Sequence, residues 1–166
     1  MTEHTAAAPV VIERTFDAPV DVVWRMWTDH RHFADWYGPN DATIPEATMD
    51  VRVGGKRRVC MRMATPNGSM EMWFTGEYRE VDENRSLVYT ESMVDKDGNF
   101  LAPADMGMPD HAPDTTEVVV ALRDLGGRTQ MTMTHRGVPA DSPGAAGWHM
   151  AFEKLALLIP AKTSPT

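Results

Sequence analysis

The stretch DSPGAAGWHMAFEKLALLIP, residues 141–160, decides the fold. Trp148, Phe152, Leu155 and Ile159 fall at i, i+4, i+7 and i+11, and Ala151 and Leu158 widen the same stripe. That spacing predicts one apolar face of an α-helix about five turns long. Asp141 or Ser142 can cap its start, Pro143 suits the first turn, and Pro160 is expected to stop it. Glu153 and Lys154 lie on the opposite face. Nearly everything before this helix reads as β-strand, so a curved antiparallel sheet is the large apolar surface on which its stripe can be buried. The space between sheet and helix is the expected functional site.

Working back from the helix, residues 43–135 alternate strand and turn. Arg128–His135 puts Met131, Met133 and His135 on one face, and Thr115–Arg123 aligns Val118, Val120 and Leu122. Ser86–Val94 aligns Leu87, Tyr89, Glu91 and Met93, and Met70–Arg79 aligns Met70, Met72, Phe74 and Gly76. Lys56–Met63 sets Val59, Met61 and Met63 against Arg58, Cys60 and Arg62, and Ala47–Val51 is a short strand. Pro66-Asn67-Gly68 and Asp82-Glu83-Asn84 mark turns. Residues 95–114 carry no strand pattern; a loop of that length in a small domain is functional, as a lid, or disordered. At the other end Val10–Phe16 alternates as a first strand. Asp17 is expected to cap a helix reaching Thr28, with Val20, Val23, Trp24 and Trp27 buried, and a second short helix at Asp29–Trp36 follows. The expected class is α+β: an antiparallel sheet of about six to seven strands wrapped around a long C-terminal helix, with two short helices after strand one. A single domain spans 10–160, with flexible tails at 1–9 and 161–166.

A chain of 166 residues is a one-domain length. Its net charge of −8 and scattered basic residues argue against nucleic acid, which needs a basic surface. No apolar run approaches the roughly 18 residues that cross a bilayer. The start, MTEHTAAAPV, lacks the basic and apolar regions of a signal peptide. The lone Cys60 fits a reducing compartment, so the expected location is cytoplasmic.

The matching pieces Arg14-x-Phe16-x-Ala18-Pro19, Val23-Trp24-x-x-Trp27-Thr28 and Trp36-x-Gly38-Pro39 appear in order with Asp50-x-Arg52-x-Gly54-Gly55. Gly76-x-Tyr78-x-Glu80-Val81, Asp97-Gly98-Asn99, Gly107-Met108-Pro109 and Gly147-Trp148 complete the series. In these, residues 10–158 resemble the START-like (SRPBCC, helix-grip) superfamily and, more narrowly, the family named after the activator of heat shock protein 90 ATPase. The resemblance implies a deep cavity between sheet and long helix, of the kind that holds lipids, hormones or polyketides.

No catalytic motif stands out: GxSxG, HExxH and the phosphate-cradling loop are all missing from the sequence. Gly54-Gly55 more simply allow a bend, and Asp95-x-Asp97-Gly98-Asn99 departs from a calcium loop and reads as a turn. His30 and His32, two apart, point to different helix faces. His111 lies among loop carboxylates that are better read as solvated. One cysteine is too few for a closed zinc site, so no metal and no cofactor is expected.

The candidate ligand-binding residues are Trp36, Met61, Met72, Phe74, Tyr89, Glu91, Met131, Met133, His135, Trp148 and Phe152. The methionines among the chain's thirteen are either core filler or a deformable apolar lining. The rings of Phe33, Trp36, Tyr37, Trp148 and Phe152 either wall a pocket or fill the core. Glu91 needs a partner if buried, with Arg14 or His135 in reach, or else sits at an open rim. His135 can hydrogen-bond a ligand, act as an acid–base, or simply bond to backbone or water at a strand end.

Three functions fit. One is binding of a small apolar or aromatic molecule in the cavity. A second is an enzyme of polyketide cyclase or hydratase type using His135, Glu91 or Tyr89. The third is a chaperone-regulating interaction, which the family name suggests and the sequence does not support; an exposed patch around Trp73 would favour it, or a homodimer.

Overall fold

The computed structural model describes residues 8–102 and 114–163. Its elements run β1 (Pro9–Phe16), α1 (Val20–Thr28), α2 (His30–Trp36), β2 (Ala42–Met49), β3 (Lys56–Thr65), β4 (Gly68–Asp82) and β5 (Ser86–Val94). They continue with β6 (Thr115–Asp124), β7 (Thr129–Pro139) and α3 (Pro143–Thr163). The seven strands form one curved antiparallel sheet in the order β1-β7-β6-β5-β4-β3-β2. Only β1 leaves sequence order, pairing with β7 across the sheet from its neighbours in the chain. The class is α+β, as the sequence implies.

The inner face follows from strand parity. Val10, Ile12 and Phe16 of β1, Met131, Met133 and His135 of β7, and Val118, Val120 and Leu122 of β6 are all buried. Leu87, Tyr89 and Glu91 of β5, Phe74 and Tyr78 of β4, and Arg57, Val59 and Met61 of β3 continue the buried band. The sheet bends where the ladder slips, between Tyr78 and Glu80 on β4 and between Thr43 and Glu46 on β2. Gly76 sits beside the first slip, where a Cβ would lie 1.7 Å from the carbonyl oxygen of Thr90; no other residue fits there.

Of the two candidate caps for α3, Ser142 serves, its Oγ accepting the Ala145 N–H at 3.3 Å. Three local expectations change. The helix continues through Pro160 to Thr163, because a proline in the last turn costs a single intrahelical bond. At α1 the residue before the helix is Pro19, with no side-chain cap, so Asp17 does not cap it. Asp29 does cap α2, accepting from Arg31 N at 2.9 Å. The second strand starts earlier than Ala47, at Ala42, and carries Pro45 at its irregularity on the sheet edge. Residues 103–113, most of the expected lid, lie outside the described residues, as do His111 and Gly107-Met108-Pro109.

Beneath the sheet, α3 buries Trp148, Ala151, Phe152, Leu155 and Ile159, the stripe expected from its period. Phe152 meets Trp148, Trp36 and Trp27 at ring-centroid distances of 5.4, 5.9 and 6.1 Å. Truncating this fully buried ring should cost about 3–5 kcal/mol. The expected outcome for Phe152→Ala is therefore a much lower urea midpoint with a nearly unchanged slope, read by far-ultraviolet circular dichroism.

Candidate functional site

The space between sheet and α3 is half filled. Trp27 of α1 and Phe33 and Trp36 of α2 stack into one half; Trp27 and Trp36 rings lie 4.9 Å apart and edge-on. Trp27 Nε1 donates to Met131 Sδ at 3.4 Å, and Trp36 Nε1 to the Met26 carbonyl at 2.9 Å, so both indoles are satisfied in place. In the other half a cavity of about 510 Å³ remains. Its wall is mostly apolar: Met61, Met63, Met72, Phe74, Met93 and Leu101 from the sheet side, and Trp148, Met150 and Ala151 from α3. Gly144 and Gly147 also face it. A Cβ on Gly147 would meet nothing nearer than Pro39 Cδ at 4.0 Å, so the missing side chain leaves open space. Lys154 fixes the loop at the cavity edge by donating to the Pro39 carbonyl at 3.0 Å.

At one end the polar groups converge. Glu91 on β5 lies opposite Thr116 on β6, and His135 on β7 lies opposite Val118, so register brings the three together. Trp148 Nε1–H donates to His135 Nδ1 at 2.9 Å. An indole N–H is only a donor, so Nδ1 must carry its lone pair and the ring proton must sit on Nε2. Nε2–H then donates to Thr116 Oγ1 at 2.7 Å. Burial pulls the His135 pKa below the ordinary histidine value, with the Glu91 charge opposing that shift. His135 is therefore neutral and has no free basic nitrogen.

Glu91 is 7% exposed and held from several sides. Tyr37 Oη donates to its Oε2 at 3.2 Å, and burial pushes the Tyr37 hydroxyl well above the ordinary phenol range. Arg57 Nη1 stands 3.7 Å from Oε2, and His135 Nε2 3.8 Å from Oε1. Arg57 is 1% exposed, with its guanidinium 3.8 Å above the Tyr89 ring and 5.4 Å from that of Phe33. None of its nitrogens meets an acceptor in hydrogen-bonding geometry among the described residues. Burial disfavours its charge, but the surrounding phenols and Glu91 more than offset this, and it stays charged. The arrangement is a desolvated ion pair clamped between aromatic rings.

Of the residues singled out from sequence, Met61, Met72, Phe74, Glu91, His135 and Trp148 line the cavity. Trp36, Tyr89, Met131, Met133 and Phe152 are buried off the cavity wall instead: Trp36 and Phe152 pack on the Trp27 ring, Met131 accepts its indole N–H, and Tyr89 lies under the Arg57 guanidinium. The methionines thus take both roles, lining and filler. The partners of Glu91 are Arg57 and the Tyr37 hydroxyl; neutral His135 stands 3.8 Å off, and Arg14 bonds Glu153 on α3 at 3.1 Å, near the surface. Arg57 was not among the candidates from sequence, although it shares parity with Val59 and Met61; it sits in the basic run Lys56-Arg57-Arg58. Gly144 and Gly147, three apart on the helix, were likewise not singled out as cavity lining, and Ala151, four further on, was placed only on the apolar stripe. Asp95 accepts from the backbone N–H groups of Asp97 and Asn99, both at 2.9 Å, as an Asp-centred turn does. Among the described residues no group of His, Cys, Asp or Glu is placed to hold a metal, and no helix is long and apolar enough to cross a membrane.

A curved sheet gripping a C-terminal helix around a cavity defines a helix-grip, START-like domain. Residues 17–159 match the family described as Activator of Hsp90 ATPase homolog 1-like protein, and the chain belongs to that family. Solved structures share the fold. A Nitrosomonas europaea protein is 20% identical with a TM-score of 0.71, covering 96% of this chain and 98% of its own. An Arthrobacter aurescens protein is 24% identical with a TM-score of 0.72, covering 91% and 85%. The AHSA1 protein of Silicibacter pomeroyi is 19% identical with a TM-score of 0.71, covering 93% and 99%. No curated protein matches the chain.

Removing one member of a buried ion pair strands the other, at about 3–5 kcal/mol, whereas replacing both with apolar groups is far less costly. Arg57→Met is expected to destabilise by that amount, and Arg57→Met with Glu91→Leu to regain most of it, as measured by denaturant unfolding. His135 adds a pH dependence. Its folded pKa lies below its unfolded value of about 6.5, so the unfolded chain takes up a proton that the folded chain refuses as pH falls below that value. Stability should be level above about pH 6.5 and fall below it. Melting temperatures across this range should fall less steeply for His135→Gln.

Proposed function

We propose that the chain binds a small, mostly apolar or aromatic molecule in the cavity between sheet and α3. The observation that carries this reading is the cavity itself: about 510 Å³, walled by methionines and rings, with Tyr37, Glu91, Thr116 and His135 gathered on its wall. Largely apolar concavities of this size with a few converging polar groups are the usual form of a small-molecule site. Methionine side chains adapt to the outline of what they contact, which suits a lining rather than a rigid plug. A reducing, cytoplasmic setting is part of this reading.

The enzyme reading has less support. Trp148 occupies one nitrogen of His135 and the ring proton occupies the other, so His135 cannot accept a proton from a substrate without breaking the Trp148 bond. The chaperone reading rests on the family's name, and function does not follow from fold membership. Trp73, the residue that would seed an outer patch, has the Arg58 guanidinium 4.4 Å above its ring. Among the described residues the exposed large apolar side chains are Val11 on β1, Met70 on β4, Leu157 on α3, and Val53, Phe100 and Leu125 in three different loops.

Native mass spectrometry of protein purified from its source should show an added small-molecule mass. Gly147→Leu projects a side chain into the open space and removes a helix-weakening glycine, so it should fold at least as stably while losing that mass. An apo spectrum from both proteins, or retention of the mass by Gly147→Leu, would count against the cavity as the site.

A further inference from the structure

The charge balance at the polar end of the cavity narrows the ligand, given the binding reading above. Glu91 lines the cavity and its Oε2 is taken by Tyr37 Oη at 3.2 Å. Its Oε1 takes no hydrogen bond from the described residues, since His135 Nε2 stands off at 3.8 Å and gives its proton to Thr116. One carboxylate oxygen therefore stands ready as an acceptor in an otherwise apolar wall. Its negative charge is already balanced by Arg57, which is buried off the cavity wall and which no ligand in the cavity replaces. The remaining polar groups on the wall, Tyr37, Thr116 and His135, are neutral.

We infer that the cavity selects a molecule with an apolar body and one uncharged hydrogen-bond donor, a hydroxyl or an N–H, that meets Glu91 Oε1. A ligand carboxylate would lose its hydration with no net counter-charge to meet it, and would stand nearer the Glu91 oxygens than the Arg57 behind them. A ligand ammonium would lose its hydration without gaining a net counter-charge, because the Arg57–Glu91 pair already sums to zero. A neutral donor avoids both costs and satisfies the open oxygen.

Three probes with one naphthalene body test this: 2-naphthol, 2-naphthylmethylamine and 2-naphthoate. At neutral pH they are uncharged, cationic and anionic respectively. Titration calorimetry on the full chain should show 2-naphthol binding about tenfold or more tighter than either charged probe. Glu91→Gln removes the balancing charge and leaves Arg57 in excess, so 2-naphthoate should gain on 2-naphthol in that variant, with circular dichroism checking its fold. The wild-type order decides the matter even where Glu91→Gln does not fold. Gly147→Leu should weaken all three probes. If 2-naphthoate or the amine equals 2-naphthol on the wild-type chain, and Gly147→Leu still abolishes binding, the donor selection is wrong while the cavity reading survives. If no probe binds, both fall together.

Discussion

One helix cannot cover the inner face of seven strands. That mismatch governs the rest of the structure. The buried face of α3 spans Trp148 to Ile159, while the inner sheet face extends from Val10 on β1 to Val59 on β3. An uncovered apolar face must be met by something else, since each buried methylene contributes about 0.8 kcal/mol. Over one half the answer is aromatic. Trp27, Phe33 and Trp36 descend from two short helices, and the two indole N–H groups are satisfied by the Met131 sulfur and the Met26 carbonyl. Over the other half the chain supplies glycine and alanine on α3, and the space stays open.

The polar groups at the cavity end are arranged by the same strand register that builds the core. Glu91, Thr116 and His135 occupy inward positions on adjacent strands, and Arg57 takes the equivalent place on β3. A charged pair in such a setting is costly unless it is enclosed well. Here the rings of Tyr89 and Phe33 face the guanidinium, and Tyr37 supplies a hydroxyl to the carboxylate. Trp148 then decides the state of His135, because a donor-only indole leaves one tautomer possible. A ring that the helical period marks as core is thus also the group that silences the most obvious candidate base.

Membership of the Activator of Hsp90 ATPase homolog 1-like family and the shared fold of distant relatives agree with this architecture. At identities near 20% the shared feature is the scaffold. The chemistry of the site rests on this chain's own residues.

Periodicity alone determined the elements. Alternation assigned the inward faces of β5, β6 and β7, and the spacing of Trp148, Phe152, Leu155 and Ile159 assigned the buried face of α3. Those patterns are local, each carried by the residues of one segment. Which apolar residues line the cavity and which fill the core was not local. Met61 and Met131 look alike in their strands, and only the position of Trp27 separates them, one facing open space and the other bonded to its indole. Arg57 was hidden for the same reason. It stands between Lys56 and Arg58 in a basic run, and its burial depends on Tyr89, Phe33 and Glu91, which lie from 24 residues before it to 34 after it in the chain. Side-chain direction follows from sequence parity, but what stands at the end of that direction is decided by packing between distant segments.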